Sequence, residues 1–292
     1  MWAHYKKHGR HDLPWRPLSL KLRRDKGDII YKILVSEVML QQTQVERVIP
    51  FYKSFIKQFP TALRLAEAPL SDVLAAWQGL GYNRRAKMLR EAAQTMQDAS
   101  FSSYRTDLMQ LVKKLERLPG VGPYTARAVV AFAFNADVVF VETNIRTAVI
   151  HHFFSGMKDF VNPTSDVRFT KSHTSSGIIS DRDIEDILTR VLPKDRAREW
   201  YSALMDYGAH LKRSGVKVNT KSTHYTKQTK FEGSLRQVRG AIVKALTAKK
   251  SLASVRKTYP DRFDAALAAL EHNDLIKKNG RGWRIDDTAA RP

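Results

Sequence analysis

A carboxylate on the apolar side of a predicted helix is the residue of this sequence best suited to acid–base chemistry. Glu37 follows Ile30, Ile33 and Leu34 at helical spacing and therefore shares their apolar stripe. A carboxyl group that faces a core must be paired, or its pKa rises because desolvation disfavours the charged form. A raised pKa suits a general acid near neutral pH. The alternative is a structural glutamate that caps backbone or pairs with an arginine, and taken alone the pattern is more typical of that role.

A second carboxylate, Glu142, lies shortly after the apolar, strand-like residues 138–140. It precedes a predicted helix whose N-cap is Thr143 or Asn144. At this point a carboxylate could stabilise a sugar that develops positive charge, or it could favour the helix dipole. The sequence pattern leaves both roles open.

Two loops carry side chains suited to an opened nucleic-acid duplex. Residues 41–44, Gln-Gln-Thr-Gln, supply groups that match the polar edges of bases, although a polar surface would have the same composition. In residues 79–85, Tyr82 stands at a turn beside Arg84 and Arg85. An aromatic side chain beside two cations suits insertion into a base stack, and it also fits an ordinary exposed turn.

Residues 118–122, Leu-Pro-Gly-Val-Gly, lie between two helical patterns. Two glycines around an apolar residue make a tight turn, and the free amides of the next helix can bind a phosphate without reading sequence. An ordinary turn between helices would carry the same glycines and proline. The turn alone does not decide between the two.

The charge balance indicates a polyanionic partner. Fifty Lys and Arg residues against 29 Asp and Glu residues give a formal net charge of +21. A membrane surface competes with nucleic acid for this role. However, no segment reaches the roughly 20 apolar residues of a bilayer span, and the N-terminus lacks a signal-peptide pattern. We therefore expect a nucleic-acid partner, no membrane association and no secretion.

The sequence contains no cysteine, which excludes disulfides, thiolate zinc sites and ordinary iron–sulfur clusters. This fits a reducing compartment, so we expect the bacterial cytoplasm with its nucleoid, or the nucleus of a eukaryotic cell. We predict no cofactor and no catalytic metal. A structural cation at the turn of residues 118–122 is compatible with the pattern.

Short helical patterns separated by Pro, Gly, Asp and Ser indicate a mainly α fold for the first two hundred residues. Helices are predicted over residues 28–43, 63–79, 84–96, 108–118, 124–134, 144–154, 181–192 and 197–211. The stretch 162–180, rich in Ser and Thr, predicts a loop.

The last eighty residues have their own organisation. We interpret the basic, turn-rich residues 212–230 as a linker. In residues 231–292, predicted helices at 235–246, 252–258 and 263–271 precede two short apolar segments around a Gly-containing turn. Three helices followed by a hairpin indicate a small winged-helix-like domain that binds DNA, with an arbitrary α+β appendage as the alternative.

Several motifs together resemble the helix-hairpin-helix DNA glycosylases and, among them, the MutY adenine glycosylases. They occur in the family's order and approximate spacing at residues 13–16, 36–45, 59–61, 77–82, 118–122 and 200–209. The string Glu-Val-Met-Leu-Gln-Gln-Thr-Gln-Val, which begins at Glu37, is the MutY branch's own feature. The resemblance spans residues 2–209. It implies an all-α helix-hairpin-helix fold for residues 1–211, with two α-helical subdomains flanking an active-site cleft, ahead of the winged-helix-like α+β domain.

The resemblance also implies roles for the candidate catalytic residues. Glu37 would protonate the adenine ring and then help water to attack. Glu142 occupies the place of the family's catalytic aspartate, which stabilises an oxocarbenium-like sugar, and Asn144 matches the residue that supports that carboxylate. Tyr124 stands where bifunctional relatives carry the lysine that forms a Schiff base, so AP-lyase activity should be weak or absent.

Base readout and backbone binding follow from the same resemblance. Gln42 and Tyr82 fall at positions that wedge into the duplex and contact the opposite base, and the glycine turn would hold a phosphate. The expected DNA-binding residues are Gln41, Gln42, Thr43, Tyr82, Arg84, Arg85, Leu118, Gly120, Val121, Gly122 and Thr125.

The sequence departs from the family's pattern in three respects. Relatives usually carry four cysteines for an iron–sulfur cluster after the last matched helix, and none is present here. Glu142 replaces aspartate and adds one methylene where about 1 Å matters. Bacterial MutY proteins carry a Nudix-like C-terminal domain that reads 8-oxoguanine, and the shorter tail of this chain looks unrelated to it.

These features predict a monomeric, monofunctional DNA N-glycosylase of base excision repair. Its substrate would be a mispair in double-stranded DNA, with adenine opposite guanine or 8-oxoguanine as the leading hypothesis. One rival is excision of thymine or uracil opposite guanine, because such relatives also carry Tyr at the position of Tyr124. The other is a non-enzymatic protein that recognises distorted duplex, a possibility raised by Glu142 and by the added domain.

Overall fold

The computed structural model describes residues 1–16, 26–97, 107–154, 178–223, 231–280 and 282–288. Most of these ranges are α-helical, and a π-helical turn, Ile150–Phe154, continues the ninth helix. In chain order the helices are α1 (Trp2–His8), α2 (Lys26–Leu40), α3 (Val45–Gln58), α4 (Ala62–Glu67), α5 (Leu70–Ala76), α6 (Arg84–Thr95), α7 (Leu108–Glu116), α8 (Pro123–Phe134), α9 (Thr143–Val149), α10 (Asp181–Val191), α11 (Ala197–Arg213), α12 (Leu235–Thr247), α13 (Ala253–Thr258) and α14 (Pro260–His272). None of the helices in these ranges has both the length and the apolar character that crossing a bilayer requires.

Capping side chains and prolines set the ends of several helices. The Ser180 hydroxyl accepts from the amide of Asp183, whose carboxylate accepts in return from the Ser180 amide, so α10 begins with a capping box. The helix predicted over residues 63–79 is in fact two helices, α4 and α5. Pro69 separates them, because it has no backbone N–H and disfavours a helical conformation at Ala68, which is extended.

Two buried apolar clusters meet at helix α8. Ala126, Val129 and Val130 belong to a first cluster with α2 to α7, whereas Ala128 and Ala131 belong to a second with α9 to α11. A helix that is apolar on both sides is held by both clusters, so α8 fixes how they lie relative to each other. The clusters are the cores of the two α-helical subdomains that the sequence predicted, and the mainly helical fold is confirmed.

The C-terminal module, residues 231–288, contains the three predicted helices and the predicted hairpin. Strands β1 (Ile276–Asn279) and β2 (Gly282–Ile285) pair antiparallel, with Ile276 opposite Ile285. Helix α12 packs against α5, and its residues Val238 and Ile242 are buried in the same cluster as the first subdomain. The α+β content predicted here is confirmed, and the module shares a core with the subdomain instead of standing apart.

The segment after α11 lies against the second subdomain. A short 3₁₀ helix, Val218–Lys221, follows α11, and Ile179 and Ser222 form a parallel bridge. The Asn219 amide donates to the Thr147 hydroxyl of α9 at 2.9 Å. These contacts hold the first part of the predicted linker in place. Its last residues, 224–230, and the predicted loop up to residue 177 lie outside the described residues.

A glycine allows α11 to approach the start of α9 very closely. A Cβ added at Gly208 would lie 2.0 Å from the backbone oxygen of Asn144 and 3.0 Å from its Cα. These are backbone atoms, which cannot move away from an added Cβ as the end of a flexible side chain could. Gly208 is therefore needed for packing, and it sits directly behind the residues that follow Glu142.

We expect Gly208→Ala to lower the free energy of unfolding by about 1–3 kcal/mol, the usual cost of overpacking. Gly240→Ala is the matched control, because Gly240 is also inside a helix and an added Cβ there would meet nothing within 4 Å. The control should raise stability by roughly 0.5–1 kcal/mol through helix propensity. Urea denaturation at pH 7 measures both. Equal effects of the two substitutions would contradict the close approach.

Candidate active site

A cavity of about 400 Å³ opens between the two subdomains, and all four predicted catalytic residues line it. Glu37 comes from α2, Tyr124 from the first turn of α8, and Glu142 and Asn144 from the start of α9. Glu37 and Tyr124 thus line the same cleft although they are 87 positions apart in the chain. The volume and the mixed polar and apolar lining suit a flat heterocyclic group such as a base.

Glu37 is buried at the floor of this cavity, with 6% of its surface exposed. The Tyr124 hydroxyl donates a hydrogen bond of 2.8 Å to its Oε2. Burial raises the pKa of Glu37 to about 7; the hydrogen bond from Tyr124 acts to lower this pKa, and the charge of Glu142 acts to raise it further. Glu37 can therefore hold a proton and also release it near neutral pH.

Tyr124 is oriented by the turn that precedes it. Gly122 caps α8 and Pro123 occupies its first position, so Tyr124 falls in the first helical turn. Its ring packs edge-on against Phe140, with 5.7 Å between ring centroids. Burial, together with the charges of Glu37 and Glu142, raises the pKa of Tyr124 well above its ordinary value. The phenol therefore stays protonated and acts as a donor.

Glu142 is itself the N-cap of α9, and the predicted caps Thr143 and Asn144 lie inside the helix. Its Oε1 accepts from the amides of Asn144 at 2.7 Å and Ile145 at 2.8 Å, because an N-cap carboxylate can satisfy the first free amides of the helix. Asn144 Nδ2 also donates to Oε2, and Lys212 Nζ donates to Asn144 Oδ1. Burial raises the pKa of Glu142, while the two amides and the charges of Lys212 and Arg146 act to lower it.

Among the residues that the structure describes, no strand pairs with the segment before Glu142. Of the described residues, 138–140 bond instead to one phenol: Tyr201 accepts from the Phe140 amide at 3.3 Å and donates to the Val138 carbonyl at 2.9 Å. The strand-like sequence reflects burial, since Phe140 is 1% exposed and stacks on Tyr201. A side chain therefore supplies the partner that a neighbouring strand would have offered.

The two loops predicted to contact an opened duplex, residues 41–44 and 79–85, are called the reading loops below, and they lie beside the cavity. Gln41, Gln42 and Thr43 line it, and Gln42 is exposed. Gln42 and Tyr82 both have left-handed backbone conformations, with φ of 56° and 50°. Such conformations are strained for residues other than glycine and persist where the surroundings hold them. The two residues predicted to enter the duplex are therefore the strained tips of their loops.

Arg85 was predicted to bind DNA, and the structure places it inside the protein. Its side chain is buried, and burial lowers its pKa to about 10. The guanidinium donates to carbonyls of both reading loops, because buried donors must be satisfied. The loop carbonyls are those of Gln41, Leu80 and Gly81 at 2.5–3.2 Å, and the guanidinium also donates to Val38 and Met39 in the last turn of α2. Arg85 thus fastens the two loops together, while its neighbour Arg84 is exposed as predicted.

The glycine turn is anchored by side chains that were expected to touch DNA. Leu118, Val121 and Thr125 are buried at 3%, 6% and 2% exposure, so their side chains pack in the core and hold the turn there. Gly120 has a φ of 75°, which favours glycine. Gly122 is exposed and, as the N-cap of α8, has no side chain of its own to cap the amides that follow it. The backbone at Gly122 remains the part of the turn that can hold a phosphate.

Sequence reasoning assigned no role to a carboxylate behind the cavity. Asp206 is 3% exposed and accepts from Arg10 Nε at 2.7 Å and from both terminal nitrogens of Arg16 at 2.7 and 2.8 Å. Burial acts to raise the pKa of Asp206, but the bonds and charges of Arg16 and Arg10 outweigh it and lower that pKa. Both arginines line the cavity. The available signal was that Arg16 and Asp206 lie in the matched motifs at residues 13–16 and 200–209.

The donor set does not fit an iron–sulfur cluster, since the sequence offers no thiolate. Within the described ranges, no three His, Cys, Asp or Glu side chains are grouped so that they could hold a metal ion. The contacts of Asn219 and Ser222 described above occupy the region after α11, where such a cluster would lie in relatives.

The raised pKa of Glu37 has a consequence for stability that does not depend on activity. The folded state binds this proton more tightly than the unfolded state, so wild-type stability falls as pH rises from about 4.5 to about 7. Glu37→Gln, which mimics the protonated form, should be more stable than wild type above pH 7 by on the order of 3 kcal/mol. The difference should shrink towards pH 4.5.

Urea denaturation from pH 4.5 to pH 8.5 measures this difference. The control is Glu199→Gln, because Glu199 is half exposed and pairs with the exposed Arg196; its effect should stay below about 1 kcal/mol. A stability difference for Glu37→Gln that does not change with pH would contradict the raised pKa.

Comparisons with known proteins agree with this geometry. A family model described as HhH-GPD superfamily base excision DNA repair protein matches residues 35–192, which include all four candidate catalytic residues. A protein named adenine DNA glycosylase from Mycolicibacterium smegmatis is 33% identical over 297 residues, 94% of this chain and 91% of that protein. A second of that name, from Mycobacterium tuberculosis, is 37% identical over 199 residues, 68% of this chain and 56% of that protein.

A solved structure of a thermostable thymine-DNA glycosylase is 25% identical, with a TM-score of 0.50 over 70% of this chain and 80% of that one. The match shows the same helical scaffold around the cleft. With the family model covering more than half of the chain, the predicted resemblance is confirmed: the chain belongs to the HhH-GPD superfamily of base excision DNA repair proteins, as a MutY-like member.

Proposed function

We propose that the protein is a DNA N-glycosylase that removes adenine from a mispair with guanine or 8-oxoguanine. One observation carries the proposal: a buried carboxyl group with a pKa of about 7 shares a base-sized cavity with a second carboxylate that backbone amides hold in place. The relatives named adenine DNA glycosylase support adenine as the base. Duplex DNA as the partner agrees with the net charge of +21.

The reaction begins when the adenine leaves the base stack and enters the cavity, at a cost of a few kcal/mol. Protonated Glu37 donates its proton to a ring nitrogen of the base, and the electrons of the bond to the sugar pass to the base as that bond breaks. The sugar becomes an oxocarbenium-like cation. Water then adds its oxygen to the anomeric carbon and gives a proton to the Glu37 carboxylate, which restores the acid.

Glu142 stabilises the cationic sugar in this scheme. Its carboxylate accepts two backbone amides and the Asn144 side chain, so it is aimed before the substrate arrives. Glu142, which has one methylene more than the family's aspartate, holds this position as the N-cap of α9. Asn144 in turn is held by Lys212.

The absence of a lysine at position 124 sets the fate of the product. A phenol cannot form an imine with the abasic sugar, so Tyr124 supports hydrolysis without strand cleavage. The proposal is therefore a monofunctional enzyme, without a cofactor, that acts as a monomer. It would act where DNA repair takes place, in the bacterial cytoplasm or a eukaryotic nucleus.

A panel of duplexes tests the proposal. We expect release of adenine from A:8-oxoguanine and A:G pairs and no release from G:T or G:U, with strand breaks seen only after alkali. Glu37→Gln should slow single-turnover excision by about 10²–10⁴-fold, the usual contribution of a general acid. Thymine or uracil release without adenine release would contradict the base assignment, and strand cleavage without alkali would contradict the monofunctional one.

The hydrogen bond from Tyr124 makes a separate prediction about pH dependence. Because this bond lowers the pKa of Glu37, Tyr124→Phe should raise that pKa further. Excision that requires protonated Glu37 declines as pH rises through about 7 in the wild type, and the decline should move to higher pH in the variant. Single-turnover rates from pH 5.5 to 9 measure this. A decline that stays in place or moves to lower pH would show that Tyr124 does not control the acid.

A further inference from the structure

Tyr82 is held in a conformation that the local sequence does not favour. Its φ of 50° lies in the left-handed region, which is strained for an aromatic residue. It follows Gly81, whose φ is also positive at 73°, so the loop tip is turned sharply. Such a conformation persists only when contacts from elsewhere in the fold hold it.

Two guanidinium groups supply those contacts. The Cζ of Arg85 lies 5.3 Å from the Tyr82 ring centroid, and Arg85 also donates to the carbonyl of Gly81. The Cζ of Arg236 lies 5.0 Å from the same centroid, and its Nη1 donates to the Tyr82 hydroxyl. Both the ring and the hydroxyl of Tyr82 are thus fixed by cations.

Arg236 comes from a different part of the chain. It lies in the first turn of α12, in the C-terminal module and outside residues 35–192 that match the family. Arg236 also lies 5.5 Å from the ring of Phe231, which is half exposed beside Tyr82 in one groove. The contacts that hold Tyr82 in place, called the clamp below, therefore come in part from the C-terminal module.

Several contacts hold the C-terminal module against the first subdomain, so that α12 has a defined position beside Tyr82. Besides the buried packing of α12, the Ser71 amide donates to Asp287 at 2.7 Å, and Gln78 donates to the Thr247 hydroxyl of α12. Gln78 directly precedes the reading loop that carries Tyr82. The loop and α12 are therefore joined at two places, by the Gln78–Thr247 bond and by the Arg236–Tyr82 bond.

We propose that Arg236 is a positioning residue through which the C-terminal module sets the opposite-base preference of the enzyme. This inference rests on the proposed function and on the role that the family resemblance implies for Tyr82, which is contact with the base opposite the excised one. Arg236 presets the Tyr82 ring, so that the ring need not be ordered when DNA binds. Without the clamp, Tyr82 samples other conformations, and the site distinguishes less well between opposite bases.

A simpler role for Arg236 would be to attract DNA phosphates. The groove between the reading loops and α12 contains Arg47, Arg236 and Lys244, and no acidic residue is among those that line it. A phosphate contact weakens binding to every duplex alike when it is removed, and it lowers the salt dependence by about one charge. Positioning acts only through Tyr82. The two roles therefore give different patterns across opposite bases.

The experiment compares Arg236→Ala, Tyr82→Ala and the double variant on duplexes with adenine opposite 8-oxoguanine, guanine or cytosine. We expect Arg236→Ala to reduce the ratio of single-turnover rates between 8-oxoguanine and cytosine duplexes by about tenfold, which corresponds to one hydrogen bond with a cation–π contact. In the Tyr82→Ala background, Arg236→Ala should change this ratio no further. Lys244→Ala, from the same groove and helix, should leave the ratio unchanged.

Affinity for duplexes with a tetrahydrofuran abasic site opposite each base provides a readout that needs no excision. The same loss of discrimination is expected there, and urea denaturation confirms that each variant is folded. An even loss of affinity across all opposite bases, equal in the Tyr82→Ala background, would overturn the positioning role. If wild type excised no adenine while these affinities still followed the predicted pattern, the proposed function would fail and the clamp would stand.

Discussion

The hydrogen bond from Tyr124 to Glu37 is the interaction on which the site depends. It joins a residue at the start of α8 to a carboxyl group buried on α2. Burial raises the pKa of Glu37, and the hydrogen bond from the Tyr124 phenol acts to lower it. The nearby charge of Glu142 acts in the opposite direction. The balance of these three influences places the pKa near neutrality, where a carboxyl group can both give and take a proton.

Helix α8 makes that balance possible because it belongs to both cores. Its two apolar faces are buried in the two subdomains, so the distance across the cleft is set by packing on each side. Arg85 has a comparable role for the two reading loops, since its buried guanidinium donates to the Gln41 carbonyl of one and to the Leu80 carbonyl of the other. Gly208 lets α11 lie directly against the backbone after Glu142. Preorganisation here is largely a matter of backbone and buried polar groups.

The C-terminal module is part of the same construction. Its helix α12 buries Val238 and Ile242 in the core of the first subdomain and presents Arg236 to Tyr82. Residues 214–223 pack against the second subdomain, where the Asn219 side chain donates to the Thr147 hydroxyl. A chain without cysteine thus uses hydrogen bonds and packing in the region after α11. Both segments lie outside residues 35–192, which match the family model, and both contact elements inside that range.

The sequence by itself determined the helical class, the C-terminal hairpin and the choice of Glu37 and Glu142 as the candidate carboxylates. It could do so because apolar periodicity and local motifs depend only on residues close together in the chain. It could not decide which side chains face the duplex. Arg85, Leu118, Val121 and Thr125 stand in the right motifs, yet they point inward, since burial depends on what packs against each helix. The clamp of Arg236 on Tyr82 joins residues 154 positions apart. Only the tertiary structure could reveal it, because no local pattern records a contact between a loop and a distant helix.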